Sequence, residues 1–543
     1  MTVPDIDDLL RESPIIAQNN ETDPSGKKRV LIATSMGGFN QGAVTEKALA
    51  IALTLRGAVV DIFLCDGAPG CQLTKIGSEP PERVVKTDAR ARCPKCFRQG
   101  RETFEPLGVD ILTLGDHLTL EEREEAERVA ARCYIETLQE FTLDGWRIGD
   151  HAMAGALRYF ARGDLSAEPL ADPVARKFVK ASVITARAMA RILSARNYDV
   201  IAFNHGIYTP QGVIGEVARS RGVRVVNWNP AYRRHCFIFS HDESYHHTMI
   251  TEDVAAWEDL TLTPDRRAAI VGYLRDRRQA KGDWIWFNDA PDMSSRELAD
   301  ALGLDERPVV AALTSVVWDA CLHYESNAFE NLKDWMIQTI AWFAERADLQ
   351  LVIRVHPAEV TGFVKSRDKM ADAIADYFPE LPENVKVVPP ESPLSTYSLI
   401  DCANAVLVYS TKTGIEASAA GARVIVAGEA WIRGKGFTMD ASSPRSYREM
   451  LALLPFRDRL PEDLQERALR YAYHFFFRRM IDLPFIEPVE AAKFAINVER
   501  LEDLRPGNYS GLDCICDGIL EGTPFVHDWP AEPVAQAPAA TRA

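Results

Sequence analysis

Short runs of β-branched and aliphatic residues alternate with longer helical patterns along most of the chain. The first run, RVLIAT (29–34), leads through the glycine-rich turn SMGGFNQG (35–42) into an apolar helix pattern, AVTEKALAIALTLRG, and then VVDIFL (59–64). Further on, DVIAFN (199–204) and VRVVNW (223–228) bracket the helical QGVIGEVARSRG. Strand–helix–strand alternation with nearly continuous apolar strands predicts a parallel sheet covered by helices.

The pattern then restarts. Residues 284–308 carry no clear strand and read as a connection. After them come PVVAALT (308–314), a helix around 327–346, LQLVIRV (349–355), NVKVV (384–388), AVLVY (405–409) and RVIVA (423–427). A strong helix is expected over 461–481. The predicted fold class is α/β, with two Rossmann-like doubly wound domains. The expected divisions are a flexible leader (1–27), a first domain (28–285), a linker (286–305), a second domain (306–455), C-terminal helices returning to the first domain (456–505), and a largely disordered tail (506–543). Two such domains face each other across a central cleft at the carboxyl ends of their strands, where ligands bind in open α/β sheets.

Composition narrows the partners. The 543 residues are 47% hydrophobic and 26% charged, ordinary for a globular chain, and the net charge is −16. No basic face stands out, so nucleic acid is not expected as a partner. The acidic, polar start shows no signal-peptide pattern, and no apolar run reaches 18 residues. A reducing, cytoplasmic setting is expected, with peripheral association at the inner membrane or with polysaccharide assembly machinery as the variant. The helix YAYHFFFRRMI (471–481) reads as a core helix rather than a membrane-surface anchor. Of the 10 cysteines, Cys65, Cys71, Cys93 and Cys96 cluster in sequence, and Cys93-Pro-Lys-Cys96 has knuckle spacing. They form a candidate structural zinc site, set against ordinary buried thiols.

The chemistry-bearing residues concentrate in the second half. LVIRVHPAE (351–359) ends a strand with Arg354, His356, Pro357 and Glu359, and a cation with an imidazole at a strand's carboxyl end suits a phosphate. Thr314 and Ser315 close the neighbouring strand. VLVYSTKTGIEASAAG reads strand, hydroxyl-rich turn, helix. There Ser410, Thr411 and Thr413 can cap the helix, Gly414 allows close approach, and the helix N-terminus with Lys412 can attract an anion. Glu416 could accept from ribose hydroxyls. Lys435, between Gly434 and Gly436, lies in a basic loop whose spacing fails the P-loop pattern. In the first half, SMGGFNQG lacks the dinucleotide fingerprint and is expected to line the cleft. His205, at the end of the 199–204 run, is a candidate general base, with Asp66 a lesser one. NWNPAYRRHCFIFSHDESYHHT (227–248) fits a sugar-contact region better than a metal site at His241, His246 and His247.

IRVHPAE, the segment VVPPESPLSTYSLIDCANAVLVYSTKTGIEASAAGARVIVAGEAWIRGKGFTMD, and the HGIYTPQG and SHDESYHHT segments resemble bacterial capsule polysaccharide biosynthesis proteins. The resemblance implies a GT-B-like glycosyltransferase with its nucleotide-sugar donor held mainly by the second domain. His356 and Pro357 match a His-Pro pair that contacts the donor phosphate in related transferases, and Ser410 and Thr411 match a hydroxyl pair with the same role. No cofactor and no catalytic metal are implied; the partners are a nucleotide-sugar donor and a glycan acceptor. A nucleotide-sugar epimerase of the same fold, or a non-catalytic nucleotide-sugar-binding subunit, remain the alternatives.

Overall fold

The computed structural model describes residues 5–13, 15, 16, 18, 26–284, 293–320, 327–362, 364–490 and 493–528. The first sheet holds β1 (Arg29–Ser35), β2 (Val59–Leu64), β3 (Ile111–Thr113), β4 (Val200–Asn204), β5 (Arg224–Pro230) and β6 (Cys236–His241). The second holds β7 (Val309–Leu313), β8 (Gln350–Arg354), β9 (Val385–Val388), β10 (Ala405–Val408), β11 (Arg423–Val426) and β12 (Met439–Asp440). A seventh strand, β13 (Met480–Asp482), returns to the first sheet.

Strand order in the second sheet is β12-β11-β10-β7-β8-β9, parallel throughout. This is the doubly wound order, with its reversal between β7 and β10. The first sheet runs β13-β6-β5-β4-β1-β2-β3, reverses between β1 and β4, and has β6 antiparallel to both its neighbours, β5 and β13. β2, β4, β7, β8 and β10 are buried along their whole length. Burial of both sheet faces is why their sequences show continuous apolar runs rather than alternation. The expected fold class is therefore borne out.

Several boundaries differ from the sequence reading. The leader contains a helix, Ile6–Glu12, capped by Asp5, with Leu10 buried and Asp7 paired to Lys47 of the first domain. Helix Pro264–Arg278, assigned by its sequence position to the first domain, packs on helix Glu462–Tyr473 in the core that covers one face of the second sheet. The helix expected to run to 481 is α-helical over Glu462–Tyr473 and ends at Arg479. Its last six residues, His474–Arg479, widen into a π-helix, and Met480–Asp482 pairs with β6. His474 and Phe475–Phe477 are buried, which makes this a core crossing between domains and not a surface anchor. Strand pairing overrides the helical pattern only at Met480 and Ile481. Residues 506–528 are no tail. Helix Ser510–Glu521 packs against helix Asn40–Leu55 and β13, with Ile515, Cys516 and Ile519 buried. In the expected linker, residues 285–292 lie outside the described residues, and Ser295–Leu302 is a helix with a capping box. Residues 529–543 of the expected tail also lie outside them. No helix among the described residues is long and apolar enough to cross a membrane.

Candidate functional site

The two sheets face a cavity of about 850 Å³. At the reversal point of the second sheet, Ser315 follows β7 and Ser410 follows β10, and their hydroxyls meet at 2.9 Å. His356, just beyond β8, is fixed from two sides. Its N–H donates to Thr314 Oγ1 at 3.0 Å, and its Nδ1 accepts the Ala358 N–H at 3.1 Å. An accepting Nδ1 leaves the proton of the neutral ring on Nε2. Burial, with the charges of Lys412 and Arg354, pushes the His356 pKa down to about 4. The ring is thus a neutral donor at ordinary pH. Thr314, Ser315, His356, Pro357, Ser410, Thr411, Lys412 and Thr413 all line the cavity.

Other expected contacts are committed elsewhere. Arg354 lines the cavity, but its Nη1 and Nη2 donate to the carbonyls of Pro389 (2.6 Å) and Ser392 (3.1 Å). It braces a turn instead of offering its fork to a phosphate, and burial lowers its pKa to about 10. Glu416 is not open to a ribose. Its Oε1 accepts from Arg277 (3.0 Å) and Lys412 (3.1 Å), and its Oε2 accepts the Tyr397 hydroxyl (2.6 Å). Burial opposes its charge, yet Arg277 and Lys412 outweigh burial and hold the pKa at about 2. Lys412, at the start of the same helix, is therefore matched by Glu416 four residues on.

The start of helix Thr413–Ala419 is self-capped: the Thr413 N–H goes to Thr411 Oγ1, and the Ile415 N–H to the Lys412 carbonyl. Gly414 answers packing, since a Cβ there would stand 2.4 Å from Ile432 Cδ1. Glu359 is buried away from the cavity, accepts the Met370 N–H, and has its pKa raised to about 7 by burial. Lys435 is buried too, its ammonium on the carbonyls of Ile250 and Glu252 at the end of helix Tyr245–Thr251.

On the first-domain side, His205 sits behind the cavity wall. It follows β4 with φ +70°, donates its N–H to the Trp228 carbonyl, and packs its ring 4.9 Å from Tyr208. Burial, with His246 and Arg158 nearby, lowers its pKa to about 3, which makes it a weak proton acceptor. Asp66 accepts the Gly115 N–H, remote from the cavity. In the glycine turn, Phe39 and Gln41 reach the cavity. Gly37 packs on helix Cys93–Phe104 instead, where a Cβ would stand 2.3 Å from Gly100 Cα.

Of the histidine-rich segment, His246 lines the cavity, whereas His241 bonds the Thr523 carbonyl. Sequence reasoning missed Asp319. It lines the cavity, accepts the Tyr208 hydroxyl at 3.0 Å, and its charge is felt by His205, His246 and His356. Tyr232, Arg277, Tyr397, Glu429 and Trp431 were not singled out either, because they come from four separated segments that only the fold brings together. The one local signal was the aromatic richness of 227–248.

The four clustered cysteines gather around one loop but do not make a ligand set. Cys96 Sγ accepts the Gly38 N–H at 3.1 Å, and Cys71 Sγ lies 3.6 Å from the Thr74 hydroxyl. Among the described residues, no group of three or more His, Cys, Asp or Glu side chains is arranged to hold a metal ion. Burial raises the pKa of Cys65, Cys93 and Cys96.

Fold and site together define a two-domain α/β protein with a polar, histidine-bearing cleft at the reversal points of its sheets. Residues 303–452 match the model of the capsule polysaccharide biosynthesis protein family, so the resemblance seen in the sequence holds over the second domain. No curated protein matches the chain. Among solved structures, the beta Kdo 2,4 transferase of Thermosulfurimonas dismutans KpsC is similar at 15% identity, over 50% of this chain and 79% of that one, with TM-score 0.34. The beta Kdo 2,7 transferase of the same protein gives 12%, 52%, 79% and 0.31. A UDP-GlcNAc 2-epimerase from Neisseria meningitidis is similar at 11% identity, over 82% of this chain and 95% of that one, with TM-score 0.26.

Proposed function

We propose that the protein is a GT-B-type glycosyltransferase that moves a sugar from a nucleotide-sugar donor to a glycan acceptor in bacterial surface polysaccharide synthesis. The observation that carries this reading is the group at the β7–β10 reversal: the His356 ring, Lys412, and the Ser315–Ser410 hydroxyl pair. It lies within the segment that matches the capsule family. As the glycosidic bond to the donor phosphate breaks, negative charge grows on the phosphate oxygens. A preorganised His356 Nε2–H, two hydroxyls and an ammonium are the donors that stabilise such charge. Glu416 takes one of the three Lys412 protons, and two remain. In this reading Asp319, which also lines the cavity, takes the acceptor's hydroxyl proton. No step in this reading needs a metal ion.

The experiment is transfer by purified protein, followed by mass spectrometry with a panel of nucleotide sugars and oligosaccharide acceptors. His356→Ala lowers turnover by about 10²-fold or more, as loss of one such donor does elsewhere. Wild-type turnover in that variant sinks the reading. A sugar altered on its nucleotide without acceptor identifies an epimerase instead, and binding without turnover of any pair identifies a non-catalytic subunit.

A further inference from the structure

One wall of the cavity is unlike the rest. After β11 the chain runs through Gly428 and Glu429 to Trp431. The Trp431 ring lies 5.4 Å from His246, 5.8 Å from Tyr245 and 6.3 Å from Tyr232, centroid to centroid. Trp431 is nearly buried and forms the floor, while the other three are half-buried and form the rim. The corner thus draws three rings from the first domain's segments and one from the second.

Glu429 stands beside it. It lines the cavity, is 7% exposed, and its Oε2 is buried with no hydrogen-bond partner. A buried carboxylate oxygen in that state is costly, and native structures rarely keep one without a use. Its backbone is held: the Glu429 N–H donates to Asn327 Oδ1 at 2.8 Å, and a Cβ on Gly428 would stand 2.8 Å from the Tyr409 carbonyl. No Lys or Arg among the described residues pairs with it. The Lys412 ammonium pairs with Glu416 and lies 4.4 Å over the Tyr232 ring, and Arg433 is bound to the carbonyls of Gly428 and Ala441.

An aromatic floor presents a face to an apolar C–H surface, and a carboxylate oxygen without a hydrogen-bond partner accepts hydrogen bonds but donates none. A pyranose offers both complements, an apolar ring face and a rim of hydroxyl donors. Building on the glycosyl-transfer reading, we infer that the Glu429–Trp431 corner is a subsite for a neutral pyranose, which stacks over the aromatic rings and gives its hydroxyl protons to Glu429. A sugar carrying its own carboxylate is rejected there, because two like charges would meet in a desolvated corner.

The test is saturation-transfer NMR with methyl glycosides of glucose, galactose and N-acetylglucosamine, and with methyl glucuronide as the acidic probe. At least one neutral glycoside receives saturation, strongest on one ring face, and the glucuronide binds more weakly. Glu429→Gln weakens the neutral glycoside about tenfold, as expected for loss of hydrogen bonds to a charged acceptor. Trp431→Phe weakens it less and keeps the fold, which thermal melting checks. Absence of saturation for every neutral glycoside, preference for the glucuronide, or indifference to both substitutions overturns the subsite. UDP-glucose separates the two sources of such a ring: competition marks the donor sugar, and simultaneous binding marks the acceptor. Binding of CMP and UMP, measured in parallel, reports on the phosphate pole alone. Loss of nucleotide binding with glycoside binding retained would count against the transferase reading while leaving the subsite standing.

Discussion

Arg277 Nη2 donates to Glu416 Oε1 across 3.0 Å, and the two side chains are only 7% and 3% exposed. Arg277 also pairs with Asp283, and Glu416 with Lys412 and Tyr397. Two cations and two anions thus neutralise one another along one wall of the cleft. The pair ties helix Pro264–Arg278 to the start of helix Thr413–Ala419 and so fixes the loop that carries Ser410–Thr413.

Removing one partner leaves a buried charge unanswered. Glu416→Ala is expected to lower unfolding stability by about 3–5 kcal/mol, read by urea denaturation. Glu416→Gln, which keeps the shape and two acceptor contacts, costs less. A stability unchanged in both variants, with nucleotide affinity lost, would return Glu416 to the ribose-holding role that its sequence position suggested.

That reversal shows where sequence reasoning stops. The strands were legible because both sheet faces are buried, so each strand is a short apolar run; residues 351–353 and Ala405–Val408 are examples. His356, Ser315 and Ser410 were legible because the carboxyl ends of strands near a topological reversal are where ligands sit. Orientation was not legible. Arg354 ends the same strand as the site, yet its guanidinium is spent on the carbonyls of Pro389 and Ser392, 35 and 38 residues on. Asp319 carries no local motif, and only the docking of the two domains sets it among three histidines from distant segments. The helix expected over 461–481 is present as far as Arg479, and only its end was not legible, because the strand partner that stops it lies some 240 residues earlier.

The proton-acceptor assignment separates cleanly by mutation. Asp319→Asn is expected to lower kcat by about 10²–10⁴-fold, with KM for the donor little changed. His205→Asn, behind the cavity wall and pushed down to about 3 by burial, leaves kcat within a few-fold of wild type. Steady-state kinetics decides, and the opposite ranking would restore His205.

Metal content tests the reading of the cysteine loop. Cys96 and Cys71 spend their sulfurs on Gly38 and Thr74. Protein purified without chelator is expected to carry well under one zinc per chain by plasma mass spectrometry, and EDTA leaves its melting temperature unmoved. Zinc near one per chain, with destabilisation by EDTA, would show that the loop closes around a metal.

Glu46 gives the protein a pH dependence that can be isolated. It is 1% exposed on the helix after β1, and burial raises its pKa to about 7 although Trp228 Nε1 donates to it at 2.9 Å. Below pH 4.5 the carboxyl is protonated in folded and unfolded chains alike and costs nothing. Between 4.5 and 7 the unfolded chain has released the proton while the folded chain still holds it, so stability falls as pH rises. Above 7 the cost is complete, on the order of 3 kcal/mol at 1.36 kcal/mol per pKa unit. Glu46→Gln keeps the acceptor for Trp228 and can donate to the Thr34 hydroxyl beside it. Its stability relative to wild type should therefore rise by that amount between pH 4.5 and 7 and level off above. Other buried groups titrate equally in both proteins and cancel in the difference. A difference that stays flat across this range, measured by denaturation at half-unit steps, would mean that Glu46 is ionised in the folded chain throughout.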